Sequence, residues 1–295
     1  METLPRWTVP TPRGVLELAR PWVMGVLNVT PDSFSDGGSF DHQDAALERA
    51  RQVCEQGARI LDVGGESTRP GASPVSPQDE QARVLPLIRE LAARKYPLPI
   101  SIDTRRAEVA HAAVLAGASV INDVSGLADP DMLRVVAELE VPVVVGHIQG
   151  TPESMQAAPR YRDVVAEVFA YLLERRDQAL AAGVPLNQIL LDPGIGFGKT
   201  LEHNLDLLVA LPDLAEVAPV VVGVSRKRMI GALLAGRPVD QRTHGSVGGA
   251  VSAALAGASI IRVHDVQESV DALRVAWAIE ARRLEKEASD PCGAP

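Results

Sequence analysis

Three polar residues, each directly after a short apolar run, are candidates for ligand binding. They are Asp103, Asn122 and Asp192. A buried carboxylate must be paired with a cation or supplied with several hydrogen-bond donors, and neither aspartate has a cation directly next to it in the sequence. We therefore expect Asp103 and Asp192 to accept N–H bonds from an amidine- or guanidine-like edge, beside the Asn122 amide, which both donates and accepts. In the alternative, Asp103 caps the helix that follows it and Asp192 supports the turn after it.

A cationic segment, Ser225–Arg228, follows another apolar run and predicts an anion site. If the segment opens a helix, its backbone N–H groups and its side chains point the same way; a solvated basic helix start is the alternative. The chain has only four lysines against 25 arginines. Two of the four, Lys199 and Lys227, follow predicted strands, which indicates a compact ammonium group there, although chance placement is the other explanation.

Eight short apolar runs, each ending at a polar or charged residue, must position these side chains. Continuous apolar runs are typical of strands buried on both faces, as in parallel sheets with helices between the strands. Eight such units predict an α/β fold, the (β/α)8 or TIM barrel. Active sites of such barrels lie at the C-terminal ends of the strands, so the terminal residues should converge on one pocket. The residues that end the runs are Asn28, Asp62, Asp103, Asn122, His147, Asp192, Ser225 and Arg262.

Arg262 and His264 alternate out of the last predicted strand, which directs both side chains to the same side. Asn28, on the first strand, becomes their neighbour when the barrel closes. Phosphate sites commonly form beside the last strands of such barrels. We therefore expect a diphosphate that Arg262 neutralises, to which His264 donates, and which Mg²⁺ bridges to Asn28. The other histidines lack the spacing of a zinc site.

The segment Gly194–Thr200 is rich in glycine but lacks the spacing of a Walker A phosphate loop, because Pro193 stands where that pattern needs glycine. Its glycines allow the backbone to approach a flat ligand, with Phe197 stacking on that ligand. A purely conformational role for the glycines is the alternative.

The composition argues against several classes of protein. A net charge of −9 disfavours a nucleic-acid surface, and no run approaches the roughly 18 apolar residues of a membrane helix. The N-terminus carries prolines and charges where a signal peptide has an apolar stretch. We therefore expect a soluble, cytoplasmic protein with small-molecule substrates. Cys54 and Cys292 are too few for a disulfide framework.

The length of 295 residues suits one barrel domain, so we interpret residues 1–295 as a single domain. Within an N-terminal extension of residues 1–20, residues 7–18 predict a short hairpin that closes the N-terminal mouth of the barrel. Residues 284–295 predict a flexible tail. Two long strand-to-helix connections, residues 28–40 and 64–77, predict mobile covers over the pocket.

Seven segments together closely resemble the dihydropteroate synthase family of folate biosynthesis, over roughly residues 22–282. The first two segments are long and specific, whereas the glycine-rich turn alone is a weak signal. The segments are Met24–Gly38, Asp62–Gly71, Ser101–Thr104, Ile121–Val124, Asp192–Lys199, Ser225–Lys227 and Arg262–Asp265. The family joins 6-hydroxymethyl-7,8-dihydropterin diphosphate to 4-aminobenzoate and releases diphosphate. The resemblance thus implies a transferase that uses Mg²⁺ and forms a homodimer, although the small-residue helix Gly245–Gly257 suits packing onto the barrel as well as between subunits.

The resemblance also implies roles for individual residues. Pterin binding is implied for Asp103, Asn122, Asp192 and Lys227, beside the stacking expected of Phe197. Diphosphate binding is implied for Asn28, Thr68, Arg262 and His264, with Mg²⁺ on Asn28. Binding of 4-aminobenzoate is implied for Phe34, Thr68, Arg69, Pro70, Ser225, Lys227 and Arg228. The expected catalytic residues are Asp103, Arg262 and Lys227.

Two positions depart from the family pattern. Arg228 stands where the family often has serine near the aminobenzoate carboxylate, which bears on how that group is held. Ile148 replaces a more usual methionine, which bears on packing against the pterin plane. The implied reaction is displacement at a methylene carbon in which diphosphate leaves first, because Mg²⁺ and Arg262 stabilise the anion and Asp103 favours positive charge on the pterin.

Three other functions compete with this interpretation. A pterin-dependent methyltransferase would use Asp103, Asn122 and Asp192 but has little use for the diphosphate residues. A non-catalytic pterin-binding paralogue is disfavoured because both lids and the anion-binding residues are intact. A Schiff-base aldolase would use Lys227, which borohydride trapping would detect.

Overall fold

An antiparallel hairpin of β1 (Trp7–Thr11) and β2 (Gly14–Leu18) begins the fold. The computed structural model describes residues 7–30, 39–67, 71 and 74–289. At the hairpin turn, Gly14 takes a positive φ of 125°, and Thr11 Oγ1 accepts a 3.1 Å hydrogen bond from the backbone N–H of Arg13. The hairpin predicted over residues 7–18 is confirmed.

Eight parallel strands with helices between them form a nearly closed barrel. Their hydrogen-bonded order is β8, β7, β6, β5, β4, β3, β10, β9, and one bridge from Leu191 to Val220 joins β8 to the segment before β9. Because each strand is buried on both faces, its sequence is a continuous apolar run, and the predicted (β/α)8 fold is confirmed. The strands are β3 (Trp22–Asn28), β4 (Ile60–Gly64), β5 (Ile100–Asp103), β6 (Val120–Asp123), β7 (Val143–Gly146), β8 (Ile189–Asp192), β9 (Val221–Val222) and β10 (Ile260–Val263).

The helices cover the outside of the barrel. Those formed by the described residues are α1 (Ser39–Glu55), α2 (Pro77–Ala93), α3 (Ala107–Ala116), α4 (Met132–Leu139), α5 (Val164–Ala181), α6 (Leu201–Val209), α7 (Leu211–Ala215), α8 (Arg228–Leu233), α9 (Thr243–Leu255) and α10 (Val266–Ser289). None of them is long and apolar enough to cross a membrane.

Helix α10 corrects one boundary drawn from the sequence. It continues through Ser289, so the first part of the predicted tail, residues 284–289, is helical. Ion pairs one helical turn apart stabilise this end, including Arg283 with Glu287 at 2.6 Å and Arg282 with Glu285 at 2.8 Å. The polar composition of residues 285–287 agrees with their exposure to solvent. The prediction of a tail overlooked the pairs of opposite charge three and four residues apart, which favour a helix. The remaining residues of the predicted tail lie outside the described ranges.

The hairpin closes the N-terminal end of the barrel. Three of its apolar side chains, Val9, Leu16 and Leu18, pack in one buried cluster with the inward-facing side chains of seven barrel strands. Those barrel residues are Met24, Ile60, Val120, Val144, Leu190, Val221 and Ile260. Apolar packing thus closes the N-terminal end of the barrel, and a polar binding site is expected at the C-terminal end.

Polar side chains form the next layer of the barrel interior. Side chains two residues apart on a strand share a face, so the residues two positions after the inward apolar ones also face inward. On four strands these are Asp62, Asn122, Asp192 and Arg262. The run that starts at Ile60 was expected to end at Asp62, but β4 continues to Gly64, which makes Asp62 an interior residue of a strand.

Candidate active site

The guanidinium of Arg262 joins two carboxylates from different strands. Its Nε lies 2.7 Å from Asp62 Oδ2, and its Nη2 lies 2.6 Å from Asp103 Oδ2. Burial lowers the pKa of Arg262, but the two carboxylates raise it more, so its pKa lies above the ordinary value. The sequence placed no cation beside Asp103, because this partner is 159 residues away. Arg262, predicted to bind diphosphate, therefore also organises the acidic residues.

Asp62 lies in the interior of the site. From the sequence, it was predicted only to end an apolar run. Its side chain is fully buried, and its two carboxylate oxygens lie 3.4 and 3.3 Å from Asn122 Nδ2. Asp62 thus connects Asn122 to Arg262. The available signal was spacing, since Asp62 follows inward Ile60 by two residues just as Asn122 follows Val120.

Asp103 lies at the end of β5 and does not cap a helix. Helix α3 begins at Ala107, and the backbone N–H of Ala107 donates instead to Asp129 Oδ2 at 2.9 Å. The capping alternative for Asp103 is therefore wrong. Burial raises the pKa of the Asp103 carboxyl to about 7, an effect that Arg262 opposes and Asp62 reinforces.

Asp192 has the turn-supporting role that the sequence offered as the alternative, and its binding role stays a prediction. Its Oδ1 accepts a 2.7 Å hydrogen bond from the Gly194 N–H, so it supports the turn after β8. It also faces the interior, where burial raises its pKa while the nearby Lys227 ammonium and the Gly194 N–H oppose that change. The structural role therefore does not exclude a binding role.

Lys227 reaches across to the turn after β8. Its Nζ donates to the backbone carbonyl of Ile195 and lies 4.3 Å from the centroid of the Phe197 ring. Burial lowers the pKa of Lys227 to about 8, with Asp192 acting in the opposite direction. Phe197 was predicted to stack on a flat ligand, but one face of its ring contacts this ammonium.

The segment after β9 does not point all its cations in one direction. Arg226 has a φ of 59°, and its Nε donates to Asp265 Oδ2 at 3.0 Å, whereas Lys227 turns towards Ile195. Helix α8 begins only at Arg228 and has six residues. The helix therefore starts later in the segment than expected and Arg226 is paired with Asp265, but Arg226, Lys227 and Arg228 all line the cavity described below. The anion site stays a prediction.

Ser225 and His264 contact each other at the rim. Ser225 Oγ accepts a 3.1 Å hydrogen bond from the His264 N–H, and it lies 3.1 Å from His264 Nδ1. This pair connects the end of β9 to the end of β10. The alternation of Arg262 and His264 predicted that both would face one side, and both line the same cavity.

A cavity of about 260 Å³ lies at the C-terminal end of the barrel. Cationic side chains, among them Lys227, Arg228 and Arg262, form part of its wall, which suits an anionic ligand. The residues on its wall include Asn28, Ser67, Phe197, Ser225, Lys227, Arg228, Arg262 and His264. Phe34, Thr68, Arg69 and Pro70, which the resemblance assigns to 4-aminobenzoate or diphosphate, lie outside the described residues.

Comparison with known proteins identifies the class to which this barrel and its carboxylate set belong. Residues 24–264 match the family described as "Pterin binding enzyme", and the chain belongs to that family. Within it, the chain groups with the dihydropteroate synthases. The dihydropteroate synthase of Escherichia coli K12 is 48% identical over 264 residues, covering 89% of this chain and 93% of that protein.

Solved structures support the same grouping. Dihydropteroate synthase from Xanthomonas albilineans with 4-aminobenzoic acid is 49% identical, with a TM-score of 0.85, covering 90% of this chain and 96% of that one. The enzyme of the same organism in complex with 7,8-dihydropteroate is 46% identical, with a TM-score of 0.83, covering 92% of this chain and 99% of that one.

Proposed function

We propose that this protein joins 6-hydroxymethyl-7,8-dihydropterin diphosphate to 4-aminobenzoate, giving 7,8-dihydropteroate and diphosphate. The observation that carries the proposal is the hydrogen-bonded group of Asp62, Asp103 and Asn122 around Arg262, which itself lines a cavity with other cationic side chains. Relatives named dihydropteroate synthase match nearly the whole chain, which supports the same assignment. The reaction belongs to folate biosynthesis and makes the protein a transferase of a pterinylmethyl group.

The pterin is proposed to bind among the carboxylates around Arg262, next to the cavity that this arginine lines. Asp103 and Asp192 accept N–H bonds from the aminopyrimidine edge, and Asn122 supplies a further donor and acceptor. Charged acceptors give the stronger class of hydrogen bond, which suits a ring rich in N–H donors. Lys227 donates to an acceptor on the ring.

The diphosphate is proposed to bind near the end of β10. Arg262 and His264 face the same cavity, and their donors favour an anion that gains charge as it leaves. Arg262 is shared, since it contacts Asp62 and Asp103 as well. Arg262 lies between the carboxylates and the cavity, so it is proposed to contact the diphosphate while it orients the carboxylates that bind the pterin.

Mg²⁺ fits this site only as an ion carried largely by the substrate. Among the described residues, no group of three His, Cys, Asp or Glu side chains could hold a metal ion. Mg²⁺ commonly keeps several waters and takes one or two protein oxygens together with substrate phosphates. Asn28 supplies such an oxygen: a methyl group on Gly64 would lie 3.5 Å from Asn28 Oδ1 and 3.6 Å from Asp103 Oδ2, so glycine keeps this corner open. Bound there, Mg²⁺ would neutralise charge on the diphosphate.

The 4-aminobenzoate carboxylate is proposed to bind at the outer rim. Ser225, Lys227 and Arg228 line this part of the cavity, and an arginine fork matches a planar carboxylate well. Phe34, Thr68, Arg69 and Pro70 complete the proposed set. Arg228 in place of serine adds a positive charge at this rim.

The chemistry is proposed to be a displacement in which bond breaking leads. The bond between the methylene carbon and the diphosphate oxygen breaks, and the electron pair leaves with the diphosphate. Asp103 stabilises positive charge developing on the pterin, and Arg262 stabilises the departing anion. The aminobenzoate nitrogen then bonds to the methylene carbon and loses a proton to solvent. No protein nucleophile takes part.

The proposed function is tested by measuring diphosphate release from the dihydropterin diphosphate, with and without 4-aminobenzoate and with and without Mg²⁺. Fast release accompanied by 7,8-dihydropteroate is expected only when both are present. Absence of product under all conditions, with the protein folded, would contradict the proposal.

We further propose that the protein is a cytoplasmic homodimer without nucleic-acid or membrane partners. Exposed apolar side chains on α9 and α10 support self-association, since Leu255, Val275 and Ile279 are 47%, 63% and 67% exposed. The charged diphosphate substrate supports a cytoplasmic location, because it does not cross membranes unaided. Light scattering on the purified protein and cell fractionation test the two statements; a monomer would contradict the first, and recovery outside the cytoplasm the second.

A further inference from the structure

A buried lysine outside the proposed set of binding residues organises the turn after β8. Lys199 is only 3% exposed. Its Nζ lies 2.9 Å from His147 Nδ1 and donates to the carbonyl oxygens of Gly194 and Phe197, each at 3.0 Å. One ammonium group thus holds both ends of the turn and connects it to the end of β7.

The turn is also packed directly against the chain after β7. A methyl group on Gly194 would lie 1.8 Å from the His147 carbonyl oxygen, and one on Gly198 would lie 2.7 Å from the Gln149 carbonyl oxygen. Both glycines have positive φ angles, of 68° and 65°. The turn therefore has little freedom to find another position while Lys199 holds it.

The same turn carries the groups that surround Lys227. The carbonyl of Ile195 accepts from Lys227 Nζ, the Phe197 ring lies beneath that ammonium, and the Gly194 N–H donates to Asp192. A shift of the turn would therefore move acceptors and contacts of both Lys227 and Asp192.

The groups that accept hydrogen bonds from Lys199 are all uncharged, which indicates that this ammonium stabilises the conformation of the turn. Its hydrogen-bond acceptors are neutral carbonyls and the His147 imidazole; burial and the Lys199 charge lower the pKa of His147 to about 3, so that imidazole stays neutral. Burial lowers the pKa of Lys199 to about 7, an effect that Asp192 opposes and Lys227 reinforces.

We propose that Lys199 is a positioning residue for the pterin-binding part of the site. By holding the carbonyls of Gly194 and Phe197 against His147, it fixes the turn that orients Lys227 and Asp192, without touching the substrate itself. This inference rests on the proposed function for its choice of ligand.

The test compares Lys199→Met with Lys286→Met, which changes an exposed lysine on α10. The probe is the oxidised, unreactive 6-hydroxymethylpterin diphosphate, titrated by calorimetry, with inorganic diphosphate as a second ligand. For Lys199→Met we expect the Kd of the pterin probe to rise at least tenfold while the Kd of inorganic diphosphate changes less than twofold. Lys286→Met should leave both values unchanged.

A milder variant covers the case in which Lys199→Met does not fold. Tyr161 Oη donates to the Gly198 carbonyl oxygen at 3.0 Å, so Tyr161→Phe loosens the same turn without creating a cavity. We expect its Kd for the pterin probe to rise two- to fivefold.

Three results separate the possible failures. Unchanged pterin affinity in the folded variants would overturn the role of Lys199, and so would an equal loss of affinity for both ligands, which a general structural defect produces. Failure of the wild-type protein to bind the pterin probe would instead contradict the proposed function.

Discussion

At the residue scale, one arginine controls the charge at the floor of the cavity. Arg262 contacts Asp62 and Asp103 at 2.7 and 2.6 Å, and removing one partner of such a buried pair leaves an uncompensated charge. The Arg262 charge opposes the rise that burial causes in the pKa of Asp103. Asp62 and Asp103 are therefore held in place by Arg262 before a ligand binds.

The pH dependence of the reaction follows from two of these residues. Burial raises the pKa of Asp103 to about 7 and lowers that of Lys227 to about 8. If catalysis needs the Asp103 carboxylate and the Lys227 ammonium, kcat/KM rises as pH passes upward through about 7 and falls again above about 8. The rate of diphosphate release in the presence of 4-aminobenzoate, measured from pH 5 to pH 10, checks this.

The same shift of Asp103 has a consequence for stability. In the unfolded chain this carboxyl has its ordinary pKa of 3.8 and ionises well below the folded one, so the folded state holds the extra proton between about pH 4 and pH 7. The contribution of this group to stability is therefore present at low pH and is lost as pH rises through that window. In Asp103→Asn, both this pH dependence and the acid limb of kcat/KM should disappear; persistence of either would contradict the assignment to Asp103.

The sequence allowed some of these residues to be predicted and hid others. Asp103, Asn122 and Arg262 were found because each ends an apolar run. Asp62 was not assigned a role, since its run was too short to show that the strand continued. Its pairing with Arg262 joins residues 200 positions apart, and no local pattern records such a contact.

At the element scale, strand ends and tight turns place the chemistry. Glycine at the end of a helix allows a left-handed turn into the next strand, and Gly57, Gly117, Gly183 and Gly257 all have positive φ angles. Capping was less predictable. Asp129 caps α3 from a different loop, an arrangement that depends on how the two loops meet in space.

A glycine substitution tests the packing of the turn after β8. Gly194→Ala introduces a methyl group 1.8 Å from the His147 carbonyl oxygen at a φ of 68°, so we expect destabilisation of about 3 kcal/mol or more from crowding and backbone strain together. Urea unfolding followed by circular dichroism measures the change.

The matched control for this prediction is Gly183→Ala. Gly183 has a similar positive φ of 93°, but nothing lies within 4 Å of its added methyl group. This variant should lose only the backbone term, about 1–2 kcal/mol. Equal losses at the two positions would show that the close contact with His147 does not constrain the turn.

At the scale of the whole molecule, apolar packing lies at the N-terminal end of the barrel and the candidate site lies at its C-terminal end. The hairpin and an apolar layer close one end, and the polar layer lies above it towards the cavity. The chain as a whole carries a net charge of −9, yet several cationic side chains, among them Lys227, Arg228 and Arg262, line its cavity. An anionic substrate, as proposed, would therefore be bound by local charge rather than by the charge of the whole chain.

The proposed reaction depends most on Asp103 acting on the pterin. Asp103→Asn keeps the shape of the side chain, and Arg262 retains its 2.7 Å contact with Asp62, so the fold should survive. Asp177→Asn, at an exposed position on α5, serves as the control.

The most direct measurement is the rate of diphosphate release from 6-hydroxymethyl-7,8-dihydropterin diphosphate with saturating 4-aminobenzoate and Mg²⁺. We predict a loss on the order of 100-fold for Asp103→Asn, with a cooperative thermal unfolding transition retained and a normal rate for Asp177→Asn. A folded Asp103→Asn protein that releases diphosphate at close to the wild-type rate would contradict the proposed role of Asp103.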